Sequence, residues 1–156
     1  MVDHCYAAVS PAPTFALGIR CNDDEITELV YLEPCPEIKP VTPLAKDAVR
    51  QLRAYLKNPA FEFGLPLAAA GTHFQHKVWE QIAAIPCGTT RSYGEVATAI
   101  HSGPRAVGNA CGANPYPLIV PCHRVLAANH GLGGFARQRG GFLLEVKKWL
   151  LQHEGI

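Results

Sequence analysis

The chain has 156 residues and a mass of 16.9 kDa, which suits one domain or two small ones. Hydrophobic residues make up 48% and charged residues 17%, which excludes a disordered chain, and no apolar run approaches the roughly 20 residues of a membrane span. The net charge of +1 divides into −3 over residues 1–72 and +4 over residues 73–156, which indicates a surface for a polyanion unless the division is chance.

The N-terminal segment lacks a basic start followed by an apolar core, so we expect an unprocessed cytoplasmic protein without a membrane partner. Six cysteines without a C-x-x-C pair are expected to be reduced thiols rather than three disulfides or a zinc ribbon. A looser metal site built from Cys5, Cys21 and a histidine is the alternative. No complete ligand set is evident, so we predict neither a metal nor another cofactor.

The first half of the chain predicts a small α/β arrangement. Strands are expected at 15–19 and 26–32, joined by a turn at 22–24 whose Asx side chains bond their own backbone. Apolar spacing then predicts a helix over 44–56 that ends before an Asn-Pro pair. A further strand is expected at 61–67, and the segment after it resembles a linker, which places a domain boundary near residue 70.

The second half predicts mainly helices. Thr72 is a candidate N-cap, Ser92 and Glu95 form a capping box, and Pro104 suits the first position of a third helix. The second and third of these helices, joined by a Gly turn, predict a helix-turn-helix. Because the helix at 105–113 consists mainly of small residues, it suits close approach to a shallow minor groove better than base recognition in the major groove.

A cysteine follows a predicted buried strand at 118–120, separated from it by Pro121. This residue, Cys122, is followed by His123 and Arg124. It is either a core thiol or a nucleophile that a neighbouring base or cation converts to the thiolate. A final helix is predicted over 142–151.

Six short motifs occur in one order along the second half: Phe-Gln at 74–75, Arg-Ser-Tyr-Gly-Glu at 91–95, Pro-Arg-Ala-Val-Gly at 104–108, Asn-Pro at 114–115, Pro-Cys-His-Arg-Val at 121–125 and His-Glu-Gly at 153–155. This ordered set resembles the O6-alkylguanine-DNA alkyltransferase family (methylated-DNA–protein-cysteine methyltransferases). The likeness is dense over residues 72–156, whereas the first 70 residues share only length and the strand–helix pattern.

The resemblance implies two domains. Residues 1–70 would form an α/β domain, ribonuclease-H-like with a small sheet plus a helix, and residues 71–156 a mainly α domain of the winged-helix/helix-turn-helix type. The second domain would flip O6-alkylguanine out of double-stranded DNA and transfer its alkyl group. The protein would be a monomer and would need no cofactor. It would act once, because water cannot cleave the thioether that it forms. Activity on O4-alkylthymine and the preferred alkyl size stay open.

The resemblance also implies the catalytic roles. Cys122 would accept the alkyl group, His123 would remove its proton through a bound water, and Glu154 would orient and stabilise His123. Asn114 would be the hinge between the recognition helix and the active-site segment. Tyr93 would contact the target phosphate and hydrogen-bond the extruded base.

The DNA contacts and the base pocket follow from the same likeness. Arg105 would enter the minor groove and fill the gap left by the flipped nucleotide. The other implied DNA contacts are Tyr93, Ala106, Gly108 and Arg124. The base pocket would be lined by the carbonyls of Cys122 and Val125 and by the Gly-rich loop around Phe135.

Three other functions remain compatible with the residues alone. They are a lesion-binding module without transfer, a helix-turn-helix transcription factor that uses Cys122 as a redox sensor, and a thiol hydrolase. The presence of Cys122 argues against the first, and the small-residue helix argues against the second. Turnover of an acyl substrate would identify the third.

Overall fold

The computed structural model describes residues 6–127 and 141–156, so Cys5 of the alternative metal site and Phe135 of the expected base pocket lie outside the described residues. The chain divides into two compact units, Met1–Ala69 and Ala70–Ile156, here called the first and second unit. Small sheets and helices together give an α/β fold. Within the described ranges, no helix is long and apolar enough to cross a membrane.

The first unit is built on a three-stranded antiparallel sheet. Its strands are β1 (Ala8–Pro11), β2 (Ala16–Cys21) and β3 (Ile26–Leu32), paired in the order β1-β2-β3. Helix α1 (Pro43–Lys57) packs against β1 and β2. The bounds of β3 match the prediction, and α1 extends the predicted helix by one residue at each end, whereas β1 was not predicted.

Local side-chain bonds explain where these elements begin. The Oδ1 atom of Asn22 accepts hydrogen bonds at 2.8 Å from the backbone N–H groups of Asp24 and Glu25, which confirms the predicted turn. At the start of α1, the hydroxyl of Thr42 accepts a hydrogen bond at 3.3 Å from the backbone N–H of Ala45.

The strand predicted at 61–67 is wrong, because this segment makes only an isolated bridge between Leu67 and Ile26. The amide of Gln51 takes both backbone groups of Gly64, accepting from its N–H at 2.8 Å and donating to its carbonyl at 3.1 Å. Those groups are therefore not available to a neighbouring strand, and Pro66 has no N–H to offer.

The second unit is mainly helical. Its elements, in chain order, are α2 (His73–Ala83), β4 (Arg91–Ser92), α3 (Tyr93–Ala99), α4 (Pro104–Gly112), a 3₁₀ turn (Cys122–Arg124), β5 (Val125–Leu126) and α5 (Phe142–His153). The predicted caps are confirmed: Thr72 with Gln75 and Ser92 with Glu95 both form reciprocal capping boxes.

Two contacts fix the framework around the second unit's core. Helices α2, α3 and α4 pack on one another, and the indole N–H of Trp79 donates a buried 2.9 Å hydrogen bond to the carbonyl of Ala110. Strands β4 and β5 pair in parallel, with Arg91 opposite Val125. This pairing brings the start of α3 beside the segment that follows Cys122.

The strand predicted at 118–120 is wrong as well. Leu118 has a φ of 79°, a left-handed conformation that ends any strand and that a branched residue adopts only under constraint. The chain turns there, with an isolated bridge between Pro117 and Val120. Cys122 therefore begins a 3₁₀ turn and does not continue a strand.

Candidate active site

The thiol of Cys122 is buried, with 4% of the residue exposed, and it is held by Asn114, two residues beyond the end of α4. The side-chain amide of Asn114 donates to the sulfur of Cys122 at 3.3 Å and to the carbonyl of Val120 at 3.0 Å. Its oxygen accepts from the backbone N–H of Tyr116 at 2.9 Å. Asn114 thus ties the end of α4 to the turn that carries the thiol.

His123 and Glu154 form a pair whose side chains are both fully buried. The Nε2 atom of His123 lies 2.8 Å from Oε2 of Glu154. Because a carboxylate can only accept, Nε2 carries the proton and Nδ1 keeps its lone pair. Nδ1 has no hydrogen-bond partner among the described residues, so it is available as a proton acceptor.

Arg124 belongs to the same hydrogen-bond network, and its expected contact with DNA stays a prediction. Its guanidinium donates to the two carboxylate oxygens of Glu154 at 2.7 and 3.1 Å and to the carbonyl of Ile85 at 2.7 Å. Only 12% of its side chain is exposed. These bonds engage three of the five N–H groups of the guanidinium inside the protein, where its positive charge neutralises Glu154.

Lys147 on α5 is a component of the site that the sequence analysis missed. It is fully buried, and its ammonium donates a 2.9 Å hydrogen bond to the carbonyl of Val125 while lying 5.9 Å from the centre of the Tyr93 ring. One sequence signal could have found it. Lys147 stands midway between Leu143 and Leu151 in a row of i, i+4 positions, so a charge interrupts an apolar stripe.

The pKa shifts describe a neutral resting site. The hydrogen bond with Cys111 and then burial raise the pKa of the Cys122 thiol well above 9.0, while Asn114 and Lys147 oppose that shift. Burial lowers the pKa of His123 below 6.5, against the opposing effect of Glu154. Burial also lowers the pKa of Lys147 from 10.5 to about 8. At neutral pH the thiol and the imidazole are therefore uncharged, and the ammonium of Lys147 is a cation that favours ionisation of the thiol.

The remaining predicted site residues fall into two groups. Tyr93 begins α3 half-buried, and burial raises the pKa of its hydroxyl above the usual range, so it keeps its proton. Arg105, in the first turn of α4, is exposed, and Ala106 and Gly108 are half-buried. Val125 is fully buried.

No cluster of three or more metal-ligating side chains occurs in residues 6–127 and 141–156. The five cysteines in these ranges are free thiols.

Comparison with known proteins agrees with this geometry. Residues 73–156 match the family model described as the DNA-binding domain of 6-O-methylguanine DNA methyltransferase. The methylated-DNA–protein-cysteine methyltransferase of Methanosarcina mazei is 43% identical over 96% of each chain. The constitutive enzyme of the same description from Bacillus subtilis is 43% identical over 74% of this chain and 68% of its own.

A solved structure extends the likeness to nearly the whole chain. The crystal structure of Mycobacterium tuberculosis OGT in complex with DNA superposes with a TM-score of 0.79 at 37% identity, covering 94% of this chain and 90% of that one. The family model covers more than half of the chain, and the relatives are similar well beyond it. The chain therefore belongs to the 6-O-methylguanine DNA methyltransferase family.

Proposed function

We propose that this protein repairs O6-alkylguanine in duplex DNA by transferring the alkyl group, once and irreversibly, to Cys122. Two buried contacts carry the proposal. The thiol of Cys122 accepts a hydrogen bond from Asn114, and the next residue, His123, is hydrogen-bonded to Glu154. Cys122, His123 and Glu154 are the nucleophile, base and orienting carboxylate that covalent catalysis needs. The names of the relatives and the DNA complex of the Mycobacterium tuberculosis protein agree with this chemistry.

Activation of the thiol must occur during the reaction, because the resting Cys122 is protonated. In our proposal its proton passes through a bound water to Nδ1 of His123, and the imidazolium that forms is stabilised by Glu154 at 2.8 Å. The emerging thiolate is stabilised by the amide of Asn114 and by the positive charge of Lys147. Because the thiol ionises only during the reaction, the protein avoids the cost of keeping a permanent thiolate away from water.

The transfer step replaces one bond by another. The sulfur of Cys122 bonds to the alkyl carbon while the bond from that carbon to O6 of guanine breaks, and the electron pair leaves with the base. Tyr93, which keeps its proton, donates a hydrogen bond to the departing guanine. Overall the thiol proton replaces the alkyl group on the base, so no cofactor is consumed. The thioether offers water no acyl carbon, and the protein is used once.

DNA binding is proposed for α3 and α4, acting as a helix-turn-helix within a winged-helix domain at 71–156, with the α/β domain at 1–70, ribonuclease-H-like, as its support. Gly108 supports this surface, because a Cβ added there would meet, among the described residues, no atom within 4 Å apart from its chain neighbours and its own helix backbone. Glycine within a helix costs up to about 1 kcal/mol relative to alanine. Since packing does not require it, we infer that close approach of DNA does.

The exposed Arg105 then occupies the space of the extruded nucleotide. Extrusion costs a few kcal/mol, least for a base whose pairing is already weakened, which gives part of the selectivity. A cytoplasmic location, where thiols stay reduced, suits a nucleophile that must remain free.

The decisive experiment is intact-mass spectrometry after mixing the protein with a duplex that contains O6-methylguanine. We expect a mass gain of one methyl group per molecule, located on the peptide that contains Cys122, and no turnover beyond one lesion per protein. Cys122→Ser should abolish the gain and retain duplex binding. Cys35→Ser, a half-buried thiol in the first unit, is the matched control and should behave as the unmodified protein does.

Three outcomes would reject the proposal. Lesion binding without any mass gain would indicate a non-catalytic recognition module. Label on a different cysteine would remove Cys122 from its role. Repeated turnover of lesions by one molecule would exclude a single-use acceptor.

A further inference from the structure

A groove in the first unit gathers most of that unit's positive charge. Residues 1–72 contain six Lys and Arg residues, and five of them line one open groove of about 900 Å³ beside α1. The five are Lys39, Lys46, Arg50, Arg53 and Lys57. The segment as a whole carries a net charge of −3, so this concentration runs against its composition.

Helical spacing produces the groove's charged wall. Lys46, Arg50, Arg53 and Lys57 stand at i, i+4, i+7 and i+11 on α1, and all four are exposed. The opposite face of α1 is buried, including Ala45, Ala48, Leu52 and Tyr55. At 1.5 Å of rise per residue, the positive stripe extends for about 16 Å.

The charges are only partly neutralised within the chain. Arg53 pairs with Glu37 at 3.2 Å, and Arg50 pairs with Asp47 on its own helix. Lys39, Lys46 and Lys57 form no ion pair with the described residues. Like charges held along one groove repel each other, and a polyanion would relieve that repulsion.

The shape and lining of the groove favour one kind of polyanion. A duplex places one phosphate per strand for each ~3.4 Å of its axis, so the stripe can face roughly five phosphates. Among the described residues no aromatic side chain lines the groove, and single-stranded nucleic acids are bound through bases stacked on aromatic rings. The groove is open along the stripe and does not enclose a small anion.

We propose that this groove binds the phosphate backbone of duplex DNA, giving the protein a DNA contact in its first unit in addition to that of α3 and α4. The inference rests on the proposed function, because the occupant is taken from the substrate on which the second unit acts. Its consequence is that DNA affinity depends on both units, while the chemistry at Cys122 depends only on the second.

The test removes two unpaired charges without disturbing α1. Lys46→Gln and Lys57→Gln are combined, since glutamine is a good helix former of similar length. The matched control is Thr14→Glu with Thr27→Glu, which lowers the net charge by the same two units at exposed positions outside the groove. Affinity for an undamaged duplex is measured against salt concentration for both variants and for the unmodified protein.

We expect the lysine variant to lose up to about tenfold in affinity per lysine at 0.1 M salt. The slope of log affinity against log salt should become shallower by up to about 1.8, because each lost phosphate contact removes about 0.9. The control should keep the original slope. Equal changes in affinity and slope in both variants would attribute the effect to net charge and reject DNA binding by the groove. Unchanged duplex binding, or a loss confined to single-stranded DNA or RNA, would also reject it.

A second measurement separates failure of the groove from failure of the proposed function. Free O6-benzylguanine has no phosphate, so its alkyl transfer to Cys122, followed by intact mass, should be equal in both variants and the unmodified protein. If the unmodified protein is alkylated neither by the duplex that contains O6-methylguanine nor by the free base, the proposed function fails. If alkylation is normal and the lysine variant binds duplex like the unmodified protein, only the groove fails.

Discussion

The two units of this protein bury different kinds of side chain. The buried polar groups of the first unit are neutral, Ser10 and Gln51, and none of its described Lys, Arg, Asp or Glu residues is buried. The second unit buries His123, Lys147 and Glu154, which are all titratable. Burial of a charge costs stability unless it is paired, so the second core is organised around groups that are retained for chemistry. Stability and reactivity should therefore respond separately to changes in the two units.

The largest effect is expected for Glu154→Gln, which breaks the charged centre of the second unit. The change leaves the buried guanidinium of Arg124 uncompensated and removes the carboxylate that stabilises a protonated His123. We expect the free energy of unfolding to fall by about 3–5 kcal/mol. The rate of alkyl transfer should fall by about 10²- to 10⁴-fold.

The two effects are measured by denaturant unfolding and by single-turnover transfer from the free base, below the unfolding transition. Glu145→Gln is the matched control, because Glu145 lies on the same helix with 69% of its side chain exposed and only a surface pair with Lys148. It should change neither quantity appreciably. A Glu154→Gln protein that transfers within threefold of the normal rate would remove Glu154 from the mechanism.

A change in the first unit should affect stability alone. Leu52 on α1 is 1% exposed and packs in an apolar core, so Leu52→Ala should lower the free energy of unfolding by about 2–5 kcal/mol. Transfer from the free base, measured where the variant is folded by circular dichroism, should be unchanged. A tenfold loss of rate in the folded variant would show that the two units are not separable in this way.

Lys147→Met tests whether a buried cation lowers the barrier at Cys122. Methionine keeps the length of the apolar stem but removes the positive charge that opposes the raised pKa of the thiol. Transfer should slow by about 10- to 100-fold, since each pKa unit at the nucleophile corresponds to about 1.4 kcal/mol. The exposed Lys148→Met should leave the rate unchanged.

The same variants can be probed without any base. Alkylation of the Cys122 peptide by a small electrophile, compared at one fixed pH, should be slower in Lys147→Met than in Lys148→Met. Identical thiol reactivity in the two variants would mean that Lys147 acts on packing or on base binding and not on the sulfur.

Sequence patterns predicted the parts of the fold that local chemistry determines. The bounds of β3 and the caps at Thr72 and Ser92 follow from alternation and from side chains that bond nearby backbone groups. The wrong strand at 118–120 was a short apolar run, and the wrong strand at 61–67 was an alternation of Phe and Leu with Glu62, Gly64 and Pro66; neither short pattern excludes a packed turn. Two other features decided them: the hydrogen bonds of the Gln51 amide at 61–67 and the left-handed backbone of Leu118 at 118–120.

The candidate site was only partly accessible to the same reasoning. The roles of Cys122, His123 and Glu154 came from ordered motifs, because Glu154 lies 31 positions from His123 and no periodicity links them. The expected DNA contact of Arg124 came from the resemblance, and its hydrogen bonds to Glu154 were not predicted. Its burial against Glu154 depends on how the end of α5 meets the 3₁₀ turn, which no local pattern contains.

The smallest expected effect is the pH dependence of transfer from the free base, which identifies where the thiol proton goes. If His123 takes the proton of Cys122, the reactive form has a neutral thiol and a neutral imidazole. That form dominates between the lowered pKa of His123 and the raised pKa of Cys122. The rate should then be nearly constant from 6.5 to about 8, fall at lower pH as His123 is protonated, and decline above about 8 as Lys147 loses its charge.

Deprotonation by solvent would instead raise the rate about tenfold per pH unit across this range, and that result would exclude the internal base. Lys147→Met should abolish the decline above pH 8. The free energy of unfolding, measured over the same pH range, is the control for loss of rate through unfolding. The pKa of Lys147 is about 8 in the folded chain and 10.5 in the unfolded one. Above pH 8 the unfolded state therefore binds more protons, and the contribution of Lys147 to the free energy of unfolding increases from pH 8 towards 9. A rate that falls while this contribution rises reports on the ammonium and not on loss of the fold.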